Sequence, residues 1–198
     1  MSRAPQLVLA SASPRRAELL RALGLELIVD APSIDERARD GELPADLAAR
    51  LAIAKASVVA RRRRDALPVL GADTVVVLDG ASLGKPVDRD DGIAMLLRLS
   101  GRTHDVITAV AVALADRVES STSISQVTFR VIEHDEASAY WATGEPRDKA
   151  GGYGIQGVGG IFVRHIEGSY SGIVGLPVAP TESLLRAFGV NTWRYRGG

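Results

Sequence analysis

Ser11, Ser13, Arg15 and Arg16 crowd into LVLASASPRR, residues 7–16, where an apolar run is followed by two small hydroxyls, a proline and two adjacent arginines. Residues 7–10 read as a short buried strand, and the segment from Pro14 to Leu23 carries Leu19, Leu20 and Leu23 at helical spacing. Ser13 suits the N-cap, Pro14 the first helical position, and Gly24 the close of the helix. The stretch is therefore strand, tight turn and helix N-terminus. The first N–H groups of a helix lack internal partners and face the positive end of its dipole, so such a turn can hold phosphate oxygens. Arg15 and Arg16 would add forked donors. A capped helix with two solvated arginines accounts for the same residues. Basic side chains in a first turn oppose the dipole, which makes sense when an anion is present.

Acids supply the next chemistry. Asp73 interrupts the strand-like apolar run LGADTVVV, and Asp35 and Glu36 sit together in SIDE. A carboxylate among Val, Leu and Ala side chains costs desolvation energy unless a cation or hydrogen-bond donors offset it. Asp73 reads either as a turn acceptor or as one of two carboxylates meeting across a cleft, where they would offer hard oxygens to Mg²⁺ or Mn²⁺. Lys55, Lys85 and Lys149 are the three lysines of a chain that otherwise takes its positive charge from arginine. An ammonium can neutralise phosphate from several directions, and Lys85 in GKP and Lys149 in RDKAGG lie beside glycines, where a ligand can approach the backbone. Taken singly, each is also an ordinary solvated lysine.

Other patterns lead nowhere. GGYGIQG contains a literal G-x-G-x-x-G, but a dinucleotide fingerprint needs a strand before it and a helix after it, whereas strand-like IFVRHI follows here. No G-x-x-x-x-G-K-[ST] occurs, and GSYSG has Tyr170 where a hydrolase elbow needs serine. The RRRR run at 61–64 sits at a helix end, where cations complement the dipole; a nucleic-acid contact is its other reading. His104, His134 and His165 lack metal-ligand spacing. With no cysteine, disulfides, thiolate metal sites and cysteine nucleophiles are all excluded.

These residues need elements to position them. A second helix is expected from about Asp46 to about Arg63, with Leu47, Leu51, Ala54 and Val58 on one face and Lys55 one step off it. PVLGADTVVVL, a DG turn and SLGKP read as a hairpin, followed by a helix capped by Asp88 and ended by Gly101. From His104 to Ile132, DVITAVAVALA and SISQVTFRVI flank a polar turn and pair antiparallel. A short helix over 135–143, the glycine-dense GGYGIQGVGG, a strand at IFVRHI, a turn at EGSY and a last helix over 181–188 complete the chain. This order predicts an α/β fold with a mixed central sheet and flanking helices rather than a doubly wound parallel one.

The chain has 198 residues, 46% of them hydrophobic and 24% charged, with Lys plus Arg and Asp plus Glu both totalling 24. That length predicts one compact domain over residues 1–198, in two lobes around a cleft, and the charge balance leaves no global field to draw it onto nucleic acid or anionic membrane. The apolar N-terminal run is far short of the ~20 residues that span a bilayer. A cytoplasmic protein without a membrane partner is expected.

SASPRR, the acid in SIDE, the AKA lysine, GADTVV, GKP, LSGRTHDVITAVAV and DKAGGYGIQGVGGIFVRHIEGSYSGIVGLP, in this order from about Leu7 to Phe188, resemble the Maf family of nucleoside triphosphate pyrophosphatases. The resemblance implies an enzyme that splits a nucleoside triphosphate between its α and β phosphates with a divalent metal, Mg²⁺ or Mn²⁺, on a two-lobed fold like that of inosine triphosphate pyrophosphatases, in a homodimer. Family functional positions match at Ser11, Ser13, Arg15, Arg16, Glu36, Lys55, Asp73, Thr74, Lys85 and Gln156. Glu36 and Asp73 would hold the metal, with Asp73 as base and Lys55 and Lys85 neutralising phosphate, while Lys149 is added as a substrate contact. Arg15, Thr74 and Gln156 match the branch acting on dTTP and UTP rather than the 7-methyl-GTP branch. Another base preference, or a non-catalytic role in cell division and septum formation, are the competing expectations.

Overall fold

Parallel pairing opens the chain. In the computed structural model, which describes residues 4–195, β1 (Leu7–Leu9) and β2 (Leu27–Val29) run side by side with Leu7 against Leu27. Parallel neighbours need a crossover, and α1 (Pro14–Ala22) supplies it. Gly24 ends that helix at φ 84°, with its N–H donating to the Arg21 carbonyl. Then α2 (Pro44–Arg62) leads to β3 (Val69–Leu78), which pairs parallel with β1 through Val8 against Val69. Leu7, Val8 and Leu9 are fully buried, which is why this strand reads as an unbroken apolar run.

The buried face of α2 is Leu47, Ala48, Leu51, Ala52, Lys55, Ala56 and Val59, while Ala54 and Val58 are half-buried. Lys55 therefore lies on the inward face rather than one step off it, a rotation from the face expected. Small side chains explain it: Ala52 and Ala56 let the β3 backbone come so close that a Cβ on Gly71 would stand 2.6 Å from the Ala56 amide nitrogen.

Asp79 and Gly80, at φ 53° and 78°, turn β3 back onto the antiparallel β4 (Ala81–Leu83). Asp88 caps α3 (Arg89–Leu99) by accepting from the Asp91 amide at 2.9 Å. Only Ala115 and Asp116 separate β5 (Thr103–Leu114) from β6 (Arg117–Phe129), so the polar stretch expected as a turn is strand. No residue over 117–124 is buried, and a strand wet along this length takes serine and threonine without cost. After α4 (His134–Ala142), the antiparallel partner of β6 is β7 (Val163–Glu167). Ile161 and Phe162, expected in that strand, belong to the 3-10 turn Val158–Phe162 before it. A short helix, α5 (Tyr170–Val174), follows EG, and α6 (Val178–Ala187) begins at Val178 rather than Thr181.

The strand order is β2-β1-β3-β5-β6-β7, with β4 on β3, so the expected mixed sheet is present. Two compact units emerge: one of the residues up to Asp73, Thr108–Ser123 and those from Gly175 on, the other of Thr74–Ile107 and Ile124–Val174. The first packs Leu7, Leu9, Leu20, Leu70, Val110, Leu176 and Leu185 into a core. The second packs Val76, Leu96, Leu99, Val106, Phe129, Tyr140 and Phe162. Each unit draws on discontinuous segments, so no linker in the sequence marks their boundary. No helix among the described residues is long and apolar enough to cross a membrane.

Candidate active site

Asp73 sits in the fifth position of β3, only 8% exposed, and its Oδ1 accepts from Lys55 Nζ at 2.7 Å. The reading of Asp73 as a turn acceptor is thereby set aside. The same ammonium lies 2.6 Å from Glu36 Oε1, and the Glu36 side chain is 53% exposed. One buried lysine thus bridges a buried and a wet carboxylate. Burial pushes the Asp73 carboxyl above the usual aspartate range, while Lys55 and then Arg16 pull it back and Glu36 adds a smaller upward push. Asp35, the other acid of SIDE, is exposed and paired with Arg37 at 2.8 Å, which holds it well below the usual carboxylate range. Glu36 is the acid that faces Lys55.

Beside this trio in the same unit, the turn after β1 holds Ser11, which is 7% exposed. Its Oγ accepts from the Ser13 amide at 3.2 Å and from Arg16 Nη1 at 3.0 Å. Arg16 Nε donates to the Gly175 carbonyl at 2.8 Å. Ser13 occupies the N-cap of α1 as expected, yet its hydroxyl makes no capping bond, and the first turn carries no acid. The Ser13 side chain and the first turn thus add no negative group to offset the positive end of α1. Arg15 is half-buried, and its guanidinium makes no hydrogen bond or ion pair among the described residues. Burial lowers the Arg16 pKa and Asp73 raises it, but a guanidinium stays charged at any working pH.

Thr74 follows Asp73 on β3 and points to the opposite face by strand alternation. It belongs to the second unit, as do Lys85, Lys149 and Gln156. Lys85 and Gln156 are exposed, without hydrogen bonds or ion pairs among the described residues. Lys149 Nζ donates to the Glu145 carbonyl at 2.6 Å and to Asp148 Oδ1 at 2.7 Å. The GKP turn and the glycine segment touch through the Gly151 amide, which donates to the Gly84 carbonyl at 3.0 Å. As expected, the G-x-G-x-x-G stretch leads into a 3-10 turn and β7, not a helix. Arg61 and Arg62 close α2, with Arg62 paired to Asp30 and Arg63 to Asp65, in keeping with the helix-end account of RRRR.

Among the described residues no three His, Cys, Asp or Glu side chains gather as a metal cage. Two carboxylates nevertheless converge on one cationic point, the Lys55 ammonium. Mg²⁺ is typically bound by one or two carboxylates, with water and substrate phosphate oxygens completing its octahedron. Glu36 and Asp73 fit that use and no all-protein cage.

Two features here escaped the sequence reading. Lys55 falls in the series Leu47, Leu51, Lys55, Val59, spaced by four, which does mark it as inward-facing. Gly175 as acceptor for Arg16 has no local signal at all, being 159 positions away.

Residues 6–188 match the family model described as Maf-like protein. A dTTP/UTP pyrophosphatase of Hahella chejuensis is 51% identical over 190 residues, covering 95% of this chain and 94% of that protein. Another, of Pseudoalteromonas translucida, is 55% identical over 181 residues, covering 91% and 95%. The solved Staphylococcus aureus Ham1 protein gives a partial likeness, covering 62% of this chain and 71% of its own at 15% identity and a TM-score of 0.44. With the family model spanning nearly its whole length and half its residues shared with relatives of the same extent, the chain belongs to the family of Maf-like proteins.

Proposed function

We propose that this protein hydrolyses dTTP and UTP to the monophosphate and pyrophosphate, using Mg²⁺ or Mn²⁺ and clearing these nucleotides from the pool. Relatives named dTTP/UTP pyrophosphatase, matching at about half of all positions, support the reaction class and substrate. The observation that carries the chemistry is the buried Lys55 ammonium bridging Asp73 and Glu36 beside the Ser11 to Arg16 turn. In this reading residues 1–198 act as one domain in a cytoplasmic homodimer, and the zero formal net charge fits a protein with neither nucleic acid nor membrane as partner.

Ser11, Ser13, Arg15, Arg16, Lys55, Lys85 and Lys149 hold and neutralise the triphosphate, whose charge otherwise repels a nucleophile. Water attacks the α-phosphorus, its proton passes to Asp73, the bond to the bridging oxygen breaks, and pyrophosphate leaves. Burial helps here because a carboxylate with a raised pKa is a stronger base. A divalent cation held by Glu36 and Asp73 supplies polarisation of the phosphoryl oxygens and a more acidic water. Thr74 and Gln156 take part in choosing the base. Uracil and thymine present carbonyl, N–H and carbonyl along one edge, and an amide can donate to one carbonyl and accept from the N–H. Cytosine reverses part of that pattern, and a donor left facing a donor costs about 1–3 kcal/mol.

A panel of triphosphates assayed for pyrophosphate release, with and without Mg²⁺ or Mn²⁺, tests this function. Pyrophosphate from dTTP and UTP, only with metal, is expected. Orthophosphate as the product, or silence with every triphosphate, overturns the reaction, and faster turnover of 7-methyl-GTP overturns the base preference.

A further inference from the structure

Gln156 lies on an exposed stretch of a glycine-rich segment, a setting in which a side chain and its backbone ordinarily move freely. The stretch is nevertheless fastened at both ends to one carboxylate–phenol pair. The Gly154 amide donates to Tyr140 Oη at 3.0 Å, and the Tyr140 hydroxyl donates to Glu145 Oε1 at 2.7 Å. Glu145 then accepts from the other end, with Oε2 2.9 Å from the Val158 amide and Oε1 3.1 Å from the Gly159 amide. Although burial pushes the Glu145 carboxyl upward, these three donors together with the charge of Lys149 outweigh it and keep the group below its ordinary range, so it accepts as an anion.

The pair is itself anchored. Tyr140 is 3% exposed, and its ring meets Phe162 edge-on at 5.2 Å. Glycine is needed where the segment passes over the clamp: a Cβ on Gly157 would fall on the Glu145 carboxylate, and one on Gly159 would stand 2.8 Å from the Gly154 carbonyl oxygen. The Gly157 amide closes the stretch on itself by donating to the Gly154 carbonyl at 3.3 Å. None of this is needed to hold β6 against β7, which have their own ladder. These bonds tie the backbone on either side of Gln156.

We infer that Glu145 and Tyr140 are positioning residues for base choice, acting through Gln156 by clamping Gly154 and Val158–Gly159 on either side of it; this rests on the proposed reading of the base by Gln156. Fixing the backbone beforehand spares the complex the ordering cost of a free glycine segment, and it aims the amide so that a mismatched base cannot be met by a shift of the loop. Glu145→Gln keeps size but turns one acceptor oxygen into an NH₂ group facing a backbone N–H.

The test is a double-mutant cycle read as the ratio of kcat/KM for UTP over CTP. Glu145→Gln and, as a milder cut, Tyr140→Phe are each expected to lower that ratio by roughly tenfold, with KM for UTP rising more than kcat falls. In the Gln156→Ala background the same changes should lower it no further. Unaltered discrimination in a folded Glu145→Gln or Tyr140→Phe protein overturns the inference, and so does an equal loss with and without Gln156. Should Gln156→Ala itself leave the ratio intact, the base-reading role of Gln156 fails first, and the positioning role goes with it. Thermal unfolding of each variant separates misfolding from the specific loss, and if Glu145→Gln does not fold, Tyr140→Phe decides.

Discussion

At the scale of single residues the decisive feature is Lys55, which divides its charge between Asp73 Oδ1 and Glu36 Oε1. A buried carboxylate without such a partner would protonate instead of ionising. Asp73→Asn keeps the shape and removes the base, so kcat is expected to fall about 10²–10⁴-fold while a non-hydrolysable triphosphate still binds in calorimetry. Near-normal kcat would take Asp73 out of the chemistry. The pH profile follows from the same burial. In the proposed mechanism the ionised form is the active one, and burial raises its pKa above the ordinary aspartate value, so at subsaturating metal kcat/KM should decline as pH drops through a value above that of free aspartate. An acid limb at or below the free value would contradict the assignment. Asp35 and Glu36 show the limit of reading residue types alone: adjacent acids look alike, the family resemblance points to Glu36, and the structure gives the two different partners, Arg37 and Lys55.

Among elements, the contact between β3 and α2 sets the distance from Asp73 to Lys55. Gly71, two residues before Asp73, lets the strand lie on Ala52 and Ala56 of the helix, because any Cβ there would strike helix backbone, which cannot rotate away. Gly71→Ala is therefore expected to destabilise the protein by about 1–3 kcal/mol, as overpacking does. It should also lower kcat by widening the Lys55–Asp73 pair. Urea unfolding and steady-state kinetics check both, and a variant as stable and active as the parent would show that the strand can move aside. Helical periodicity carries this element only part of the way. The runs of alanine and valine in α2 permit two overlapping apolar faces, and the glycine of the facing strand selects between them. The turn between β5 and β6 failed for a different reason: serine and threonine serve a wet strand as well as a turn, so polarity alone misplaced it.

Across the whole molecule, stability carries a pH signature from a residue the chemistry does not use. His104, on β5, is 2% exposed, its Nε2 lies 2.8 Å from the Tyr153 hydroxyl, and its Nδ1 has no partner among the described residues. Burial lowers its pKa from 6.5 to about 4. The protonated form is the one disfavoured by folding, so the stabilisation is complete above 6.5 and is lost as pH falls through about 4. Over that window the loss is on the order of 3 kcal/mol. Urea unfolding at pH 7.5 and pH 4 should show His104→Gln losing less stability on acidification than the parent by about that amount. Equal losses would assign the acid sensitivity to other groups.

The sequence by itself determined the type and order of nearly every element, the mixed sheet they form, and, through motifs in their order, the family to which the chain belongs. Those are properties of local backbone preference and of one residue's affinity for water, and both are written at each position. The tertiary structure alone decided that Lys55 is buried between two carboxylates, that Glu36 rather than Asp35 faces it, and that Tyr140 and Glu145 hold the segment bearing Gln156. Each of these is a contact between side chains or amides brought together by packing. Lys55 and Asp73 stand 18 positions apart, and no periodicity in either segment records the distance that close packing of a glycine against a helix backbone sets between them.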